Sequence, residues 1–402
     1  MVTTTLITDS ARLRALRPAW EELLARSADD DFALHPTWIL SWWDVFGDDG
    51  DRSLRSFAFH DGERLVGLAL LHARRHVYRP GIPFKRLELL GTGEASADET
   101  CGDYLGVIAE RGREDDVATA FARALVEEAG GAWDELVMSS MNGDSPLPTA
   151  LVRACAIRGF ETALEEWTQS AFVPLPKTWD DYLGALKQNK RSQLRKALRA
   201  FESWAGGPPE IVRVQSRDQI ADGRRILMKL HAERWGHAGV FGSPKFLAFH
   251  DRLMPELLDA NALDLGWMIV RGEPVAAFYN FRRNGKVSFY QTGRKLDIPD
   301  EVRVGVTMHA YLIRSAIEEG LREYDFLAGL SQYKMSLALA TRPIVKLRVV
   351  KPSLVERART ASVRGIDLAK KAREWALAKE LPAGTPSQVR ALVDKVRGRP
   401  TS

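Results

Sequence analysis

The same order of elements occurs twice in this chain, and this repeat constrains the fold more than any other feature of the sequence. The first copy begins at Arg55 with RSFAFHDGERLVGLALLHARRH, in which Asp61-Gly62 is a tight turn between two strands. The segment REDDVATAFARALVEEAGG then has an acidic helix start and apolar residues at helical spacing. A strand follows from Trp133. This copy predicts a hairpin, a helix and a strand in succession.

The second copy starts roughly 210 residues later with LGWMIVRGEPVAAFYNFRRNGKVSFYQTG, where Arg271-Gly272 and Asn284-Gly285 mark two turns. The next helix has an apolar face formed by Val306, Ala310, Ile313 and Ile317. Gly320 ends this helix, and a buried strand begins at Tyr324. An internal duplication of an α/β unit explains both copies.

We therefore predict an α/β fold with two tandem mixed-sheet domains, flanking helices and a C-terminal tail. The predicted domains are residues 1–172 and 173–351, because Pro174 and Pro176 interrupt the chain between the two copies. The tail, residues 352–402, reads as basic helices rich in Ala, Lys and Arg. Residues 351–402 hold 12 Lys and Arg against 5 Asp and Glu, although the whole chain has a net charge of only +4. This local charge predicts contact with an anionic surface such as a membrane.

Several function classes do not fit the sequence. His72 and His76 fall on a predicted strand, where they are expected to be a solvated pair and not metal ligands. The chain contains no HExxH, no GxSxG and no P-loop motif. Its two cysteines, Cys101 and Cys155, do not have metal or redox spacing. From these patterns we expect no metal. We also read no export signal and no membrane span, so we expect a cytoplasmic location, with peripheral contact at the inner membrane face through the tail.

The helix that opens EVRVGVTMHAYL is a candidate anion site. Gly305 begins it, and we expect the amides of Val306, Thr307 and Met308 to point outward, with Arg303 adding a positive charge. The alternative is an ordinary helix start in which Gly305 serves packing.

A basic stripe runs along the helix between the two copies. Its cations, at spacings of three and four, are Lys187, Lys190, Arg191, Arg195, Lys196 and Arg199. The stripe fits either phosphate contacts or a solvated helix face, and only Asp180 and Asp181 offset it at the predicted helix start.

Six segments, taken in order, resemble the GNAT-like acyltransferases of the CelD type, which are tandem-GNAT proteins similar in plan to the Fem-type aminoacyl transferases. They cover about residues 30 to 350 and are FALHPTWILSWWDVFG, LELLGTGEASADETCGDYLGV, LKQNKRSQLRKALR, LHAERWGHAGVFGSP, GEPVAAFYNFRRNGKVSFYQTG and YDFLAGLSQYK. The chain departs from the family after Gly329, where Leu330, Ser331 and Gln332 replace residues that are commonly acidic.

The resemblance implies a GNAT-like fold with acyl-CoA as co-substrate and no metal. In such a fold two central parallel strands splay apart, and residues just beyond a strand end surround the thioester. Tyr333 is then the candidate general acid, and Lys334 holds a donor phosphate or an acidic acceptor. Asp325 orients a neighbour or deprotonates the amine through water. His309 and Tyr290 are candidates for base and positioning. The alternative is that Tyr333 and Lys334 only close a hairpin surface.

The resemblance implies transfer of an acyl group, most simply acetyl, to an amine or hydroxyl of a small-molecule or glycan acceptor in surface polysaccharide or cell-envelope biosynthesis. Only the second copy has the phenol and the glycine, so we expect acyl-CoA there and the acceptor towards the first. Two alternatives remain: a Fem-type transferase that uses aminoacyl-tRNA, and a non-catalytic accessory protein of polysaccharide assembly. Outside the tRNA alternative we expect no nucleic-acid partner.

Overall fold

A computed structural model describes residues 2–127, 133–236 and 239–363 of the chain. The described residues form two compact units, one of residues 2–76 and 84–351 and one of residues 77–83 and 352–363. Within the smaller unit, residues 354–363 are helical. The rest of the predicted basic tail, residues 364–402, lies outside the described residues, and so does its predicted contact with a membrane.

The N-terminal half contributes a small sheet and one side of a large sheet. Its elements are β1 (Thr3–Ile7), α1 (Ser10–Ala15), α2 (Arg17–Arg26), α3 (Pro36–Phe46), β2 (Ser53–Leu54), β3 (Ser56–Asp61), β4 (Arg64–Ala69), β5 (Leu71–Tyr78), β6 (Ile82–Leu89), β7 (Val107–Ala109), α4 (Glu114–Glu127), β8 (Glu135–Asn142) and α5 (Leu147–Ile157). The predicted hairpin is confirmed as β3 and β4, which pair antiparallel on either side of Gly62. The small sheet has the order β1-β3-β4-β7.

The C-terminal half begins with a long strand and ends with another. Its elements are β9 (Glu161–Pro174), α6 (Trp179–Ala185), α7 (Gln188–Ala205), β10 (Glu210–Arg213), α8 (Arg217–Trp235), α9 (Pro244–Asp259), β11 (Leu263–Val270), β12 (Glu273–Arg283), β13 (Lys286–Arg294), α10 (Val304–Glu318), β14 (Glu323–Ala328), α11 (Gln332–Leu337) and β15 (Ala340–Val350). Both predicted turns of the second copy are present, between β11 and β12 and between β12 and β13.

One mixed sheet connects the two halves. Its strand order is β10-β11-β12-β13-β14-β9-β15-β8-β6-β5-β2. The last strand, β15, lies antiparallel between β9 of its own half and β8 of the N-terminal half. The proposed domain boundary at residue 172 falls inside β9. The two copies are therefore joined by backbone hydrogen bonds as well as by side-chain packing.

The two copies repeat the same strand arrangement. In the first, β6 and β8 pair in parallel only through Arg86–Glu88 and Glu135–Val137, and α4 follows β6 and precedes β8. In the second, β13 and β14 pair in parallel only through Lys286–Ser288 and Glu323–Asp325, with α10 between them. Beyond these three residue pairs the strands of each copy separate. The fold is thus the predicted tandem, mixed-sheet α/β fold, and the splay of the second copy is where the resemblance expects the thioester.

The helices of both copies bury the faces that their apolar spacing predicts. In α4 the side chains of Val117, Phe121 and Leu125 are fully buried. In α10 the side chain of Ile313 is 0% exposed, and the chain turns at Gly320, where φ is 72°. Apolar burial of this kind supplies most of the stability of a helix in a folded protein.

Two smaller predictions are wrong. Asp180 and Asp181 belong to the separate helix α6, because the chain becomes extended at Leu186 before α7 starts, so they do not offset the basic stripe of α7. His72 is not solvated, since its side chain is completely buried and its Nε2 atom lies 3.1 Å from the carbonyl oxygen of Thr92.

None of the described helices is long and apolar enough to cross a membrane. The described residues also contain no cluster of three or more His, Cys, Asp or Glu side chains that is suited to a metal ion.

Candidate active site

The separation of β13 and β14 opens a cleft of about 620 Å³. The C-terminal half lines it with Phe289, Tyr290, Gln291 and Thr292 of β13, with Phe326, Leu327 and Ala328 of β14, and with Tyr333 and Lys334 of α11. The N-terminal half lines the opposite side with Gly91–Glu94, Cys101–Asp103, Ser139 and Ser140. The cleft therefore lies between the two copies, beside the strand end from which the sequence predicts the chemistry.

A second cavity, of about 290 Å³, lies at the N-terminus of α10. Arg234, Thr292 and Tyr333 line both cavities, so the two cavities adjoin each other. Three guanidinium groups line the second cavity, those of Arg234, Arg294 and Arg303, and none of them forms an ion pair with a carboxylate in the described part of the chain. Burial lowers the pKa of Arg234, and the positive charge of Arg294 adds to this effect. The cavity is also lined by one carboxyl group, that of Asp300, so three positive charges against one negative charge leave a surplus of positive charge for an anionic ligand.

The start of α10 differs slightly from the prediction. The helix begins at Val304 and not after Gly305, so its amides without an intrahelical acceptor are those of Val304, Gly305 and Val306. The Thr307 amide donates to the Arg303 carbonyl oxygen at 3.1 Å, and the Thr307 side chain is buried, so Thr307 is not available to a ligand. Arg303, Gly305 and Val306 do line the cavity. A Cβ atom on Gly305 would meet only Cδ of Arg294, at 3.7 Å, so close packing does not explain this glycine.

Tyr333 and His309 form a stacked pair at the junction of the two cavities. Their ring centroids are 5.5 Å apart with an interplanar angle of 18°. Nδ1 of His309 lies 3.0 Å from the hydroxyl of Tyr324. Burial, helped by the charges of Lys334 and Arg234, lowers the pKa of His309 to about 3, so the imidazole is neutral at ordinary pH. Burial raises the pKa of Tyr333, so its phenol keeps the proton that a general acid needs.

Lys334 lies in the large cleft and does not line the arginine cavity. Its Nζ atom donates to the carbonyl oxygens of Leu327 at 3.2 Å and Ala328 at 2.6 Å, at the end of β14. Burial lowers its pKa. The expected contact of Lys334 with a donor phosphate does not match this position, whereas a contact with a group inside the cleft does.

Asp325 does not reach the cleft. The side chain is fully buried, and its Oδ2 atom accepts hydrogen bonds from the hydroxyl of Tyr104 at 2.7 Å and from Nη1 of Arg342 at 3.3 Å. Its Oδ1 atom accepts from the amide of Leu327 at 2.7 Å. The expected deprotonation of an amine by Asp325 does not match this position, and its orienting role stays a prediction. The alternation of side chains along β14 explains the difference, because Tyr324 points towards His309 and Asp325 points to the other face.

Tyr290 lies on the floor of the cleft but has no free hydroxyl. This hydroxyl donates to the carbonyl oxygen of Thr100 at 2.7 Å and also contacts Nε2 of His250 at 3.1 Å. Burial raises the pKa of Tyr290 well above its usual value. Its position supports a positioning role, because it fastens the Thr100 loop of the N-terminal half to β13, and does not support a role as base.

The sequence analysis missed Asp103, Arg234 and Arg294. Asp103 is buried in the cleft, where Oδ2 accepts a hydrogen bond from the Ala328 amide at 2.8 Å. Burial raises the pKa of Asp103 to about 7, and the negative charge of Asp325 adds to the rise. This is the range in which a carboxylate works as a general base at neutral pH. Its only signal in the sequence is the segment LELLGTGEASADETCGDYLGV, which contributes to the family resemblance without pointing to Asp103.

Comparison with known proteins agrees with this geometry. Residues 188–335 match the family model described as an acetyltransferase (GNAT) domain, and this match contains α10, β14, Tyr333 and Lys334. No curated protein matches the chain.

Among solved structures, a conserved protein of unknown function from Bacteroides thetaiotaomicron is similar over 87% of this chain and 100% of its own, with 15% identity and a TM-score of 0.50. The structure of FemX covers 87% of this chain and 97% of its own at 12% identity and a TM-score of 0.45. A tandem GNAT protein from the clavulanic acid biosynthesis pathway covers 88% and 100% at 11% identity and a TM-score of 0.39.

Proposed function

We propose that the chain is a GNAT-like acyltransferase of the CelD type, which moves an acyl group, most simply acetyl, from acyl-CoA to an amine or hydroxyl of a small-molecule or glycan acceptor. One observation carries the proposal. An arginine-lined cavity at the N-terminus of α10 adjoins the cleft at the gap between β13 and β14, and Tyr333 lines both. The role in surface polysaccharide or cell-envelope biosynthesis stays a proposal that follows from the family resemblance.

Positively charged groups hold the pyrophosphate end of the donor, and the backbone of β13 holds its pantetheine arm. The pyrophosphate of CoA lies against the amides of Val304 and Gly305 and the guanidinium groups of Arg294 and Arg303, where the helix dipole also favours an anion. The pantetheine arm follows β13, whose edge towards β14 has no strand partner beyond Ser288. This direction brings the thioester towards Tyr333.

The chemistry needs a base, an acid and no covalent enzyme intermediate. The Asp103 carboxylate takes a proton from the acceptor, whose nitrogen or oxygen attacks the thioester carbonyl carbon. The new bond forms as the carbon–sulfur bond breaks, and the Tyr333 phenol protonates the departing thiolate. His309 holds the Tyr333 ring by stacking, and Lys334 favours the ionised form of Asp103 because its charge lies close to that carboxyl.

Calorimetry with acetyl-CoA tests the donor site. Gly305→Asp places a carboxylate among the three arginines, and there is room for the side chain because only Arg294 Cδ lies within 4 Å of the added Cβ. We expect acetyl-CoA affinity to fall at least tenfold while thermal stability is retained, since an acidic residue is favourable in the first turn of a helix. Asp115→Lys, a charge change at the equivalent helix of the first copy, is the matched control. If acetyl-CoA affinity is unchanged by Gly305→Asp but falls in Asp115→Lys, the donor binds to the first copy, and its assignment to the second copy is wrong.

A further inference from the structure

The two adjoining cavities differ in charge. The arginine cavity carries three guanidinium groups and one carboxyl group, that of Asp300, whereas the part of the large cleft that belongs to the N-terminal half carries three carboxyl groups, those of Glu94, Glu99 and Asp103. Among the described lining residues of that half there is no Lys or Arg. A polyanionic donor fits only the arginine cavity, so the acidic part of the cleft faces the second substrate.

Glu94 has an unused hydrogen-bond acceptor in this acidic wall. Its Oε1 atom accepts from the amide of Thr100 at 2.8 Å and from the hydroxyl of Thr100 at 2.7 Å, which fixes the carboxyl group. Its Oε2 atom is shielded from solvent and has no hydrogen-bond partner in the described part of the chain. An unpaired, desolvated carboxylate oxygen is costly, and a cationic donor is the group that compensates it best.

Trp167 provides a second, independent feature of the same cleft. It lies on β9, lines the cleft and is 52% exposed, in a strand segment that is otherwise mostly polar. The indole makes no ring contact with any described aromatic residue. An exposed indole in a cleft that also carries carboxyl groups can bind an ammonium group through the cation–π interaction.

The reacting group and this cationic group must be different. The nucleophile has to be neutral when it attacks and has to lie near Asp103 and Tyr333, whereas a group that pairs with Glu94 gains from keeping its charge. Both requirements are met when one molecule carries two functional groups within a cleft of about 620 Å³.

We propose that Glu94 and Trp167 form a cation subsite, so that the acceptor carries an ammonium group in addition to the group that receives the acyl group. This inference rests on the proposed acyl transfer. For an amine nucleophile, Asp103 accepts one proton, the nitrogen–carbon bond forms, and the carbon–sulfur bond breaks as Tyr333 protonates the thiolate. The proton that Asp103 accepted then returns through water to the Tyr333 phenolate, so both side chains regain their starting states, and the products are an amide and free CoA. The ammonium group on Glu94 is unchanged throughout.

The test measures CoA thiol release from acetyl-CoA with matched probes of three to six carbons. Each α,ω-diamine is compared with the monoamine of the same chain length, which lacks the second charge. We expect at least one diamine to have a KM tenfold or more below its matched monoamine. Glu94→Gln, which keeps an acceptor for Thr100, should reduce this preference to about twofold, and Trp167→Ala should weaken it without a change in the KM for acetyl-CoA.

Glu22→Gln, on an exposed face of α2 away from the cleft, is the control and should change none of these constants. The subsite is refuted if monoamines match the diamines at every length or if Glu94→Gln leaves the preference intact. It is also refuted if an enzyme that binds acetyl-CoA releases no thiol with any diamine. Failure of the wild-type protein to bind acetyl-CoA would instead refute the acyl-transfer proposal itself.

Discussion

Asp103→Asn tests the proposed general base directly, because it removes the ability of the side chain to accept a proton and leaves its contacts in place. In the native site Oδ2 of Asp103 accepts a hydrogen bond from the Ala328 amide, and an asparagine oxygen can accept the same bond. The side chain keeps its shape and loses only its ability to take a proton. We therefore expect a folded protein that binds acetyl-CoA normally and transfers the acyl group slowly.

The size of the expected change in kcat follows from the pKa of Asp103. Burial and the negative charges of Asp325 and Asp31 raise this pKa to about 7, although the Ala328 amide and Lys334 act in the opposite direction. The active form is the carboxylate, so the rate must rise with pH. The ionised fraction increases from about one-tenth at pH 6 to about nine-tenths at pH 8, which predicts an increase in kcat of about tenfold across this range. Loss of a general base typically costs about 10²- to 10⁴-fold, and Asp103→Asn should lower kcat at pH 8 by that amount.

The assay is CoA thiol release at saturating acetyl-CoA and one saturating diamine, for wild type and Asp103→Asn, from pH 5.5 to 8.5. Both enzymes are assayed with the same diamine, so the ratio of their kcat values does not depend on how much of the acceptor amine is protonated at each pH. His309 does not contribute to this range, because its pKa is about 3. Lys334→Gln should move the wild-type profile to higher pH, since removal of a nearby positive charge raises the pKa of a carboxyl group. An Asp103→Asn enzyme with the wild-type rate and profile would show that Asp103 is not the base.

Three further outcomes are expected. Tyr333→Phe should lower kcat by roughly 10²-fold with donor affinity little changed, because a proton donor acts mainly in the transition state; equal losses in kcat and acetyl-CoA affinity would contradict this role. Ile313→Ala in the buried face of α10 should lower the free energy of unfolding by about 2–5 kcal/mol in urea titrations, whereas Ile157→Ala, at a side chain that is 84% exposed, should change it little. Removal of residues 364–402 should weaken binding to anionic liposomes and leave acetyl-CoA binding unchanged, and unchanged liposome binding would exclude the tail as the contact.

The local parts of this fold could be predicted because local patterns determine them. The turns at Gly62 and Asn284 and the buried faces of α4 and α10 follow from spacing within a few residues. The insertion of β15 between β9 and β8 could not be predicted, because that pairing joins segments far apart in the chain and leaves no periodic signal. The sequence alone therefore shows the two copies but not the sheet that joins them.

The candidate site shows the same division. Tyr333 and His309 are candidates through the family resemblance, the start of α10 is one through the glycine at its N-terminus, and all three belong to the second copy. Asp103 was missed because the bond that gives it a role, to the Ala328 amide, spans 225 residues. The same distance hid the partners of Asp325, since Tyr104 belongs to the first copy. Long-range contacts decide which acidic residue faces the cleft, and a single sequence does not display them.

The most direct test of the central claim is a crystal structure of the complex with acetyl-CoA, or with CoA and a slowly reacting acceptor amine. The account predicts pyrophosphate density at the amides of Val304 and Gly305, with Arg294 and Arg303 in contact, and the sulfur atom in the gap between β13 and β14 beside the Tyr333 hydroxyl. Donor density at the start of α4 in the first copy, or a thioester remote from Tyr333 and Asp103, would contradict it.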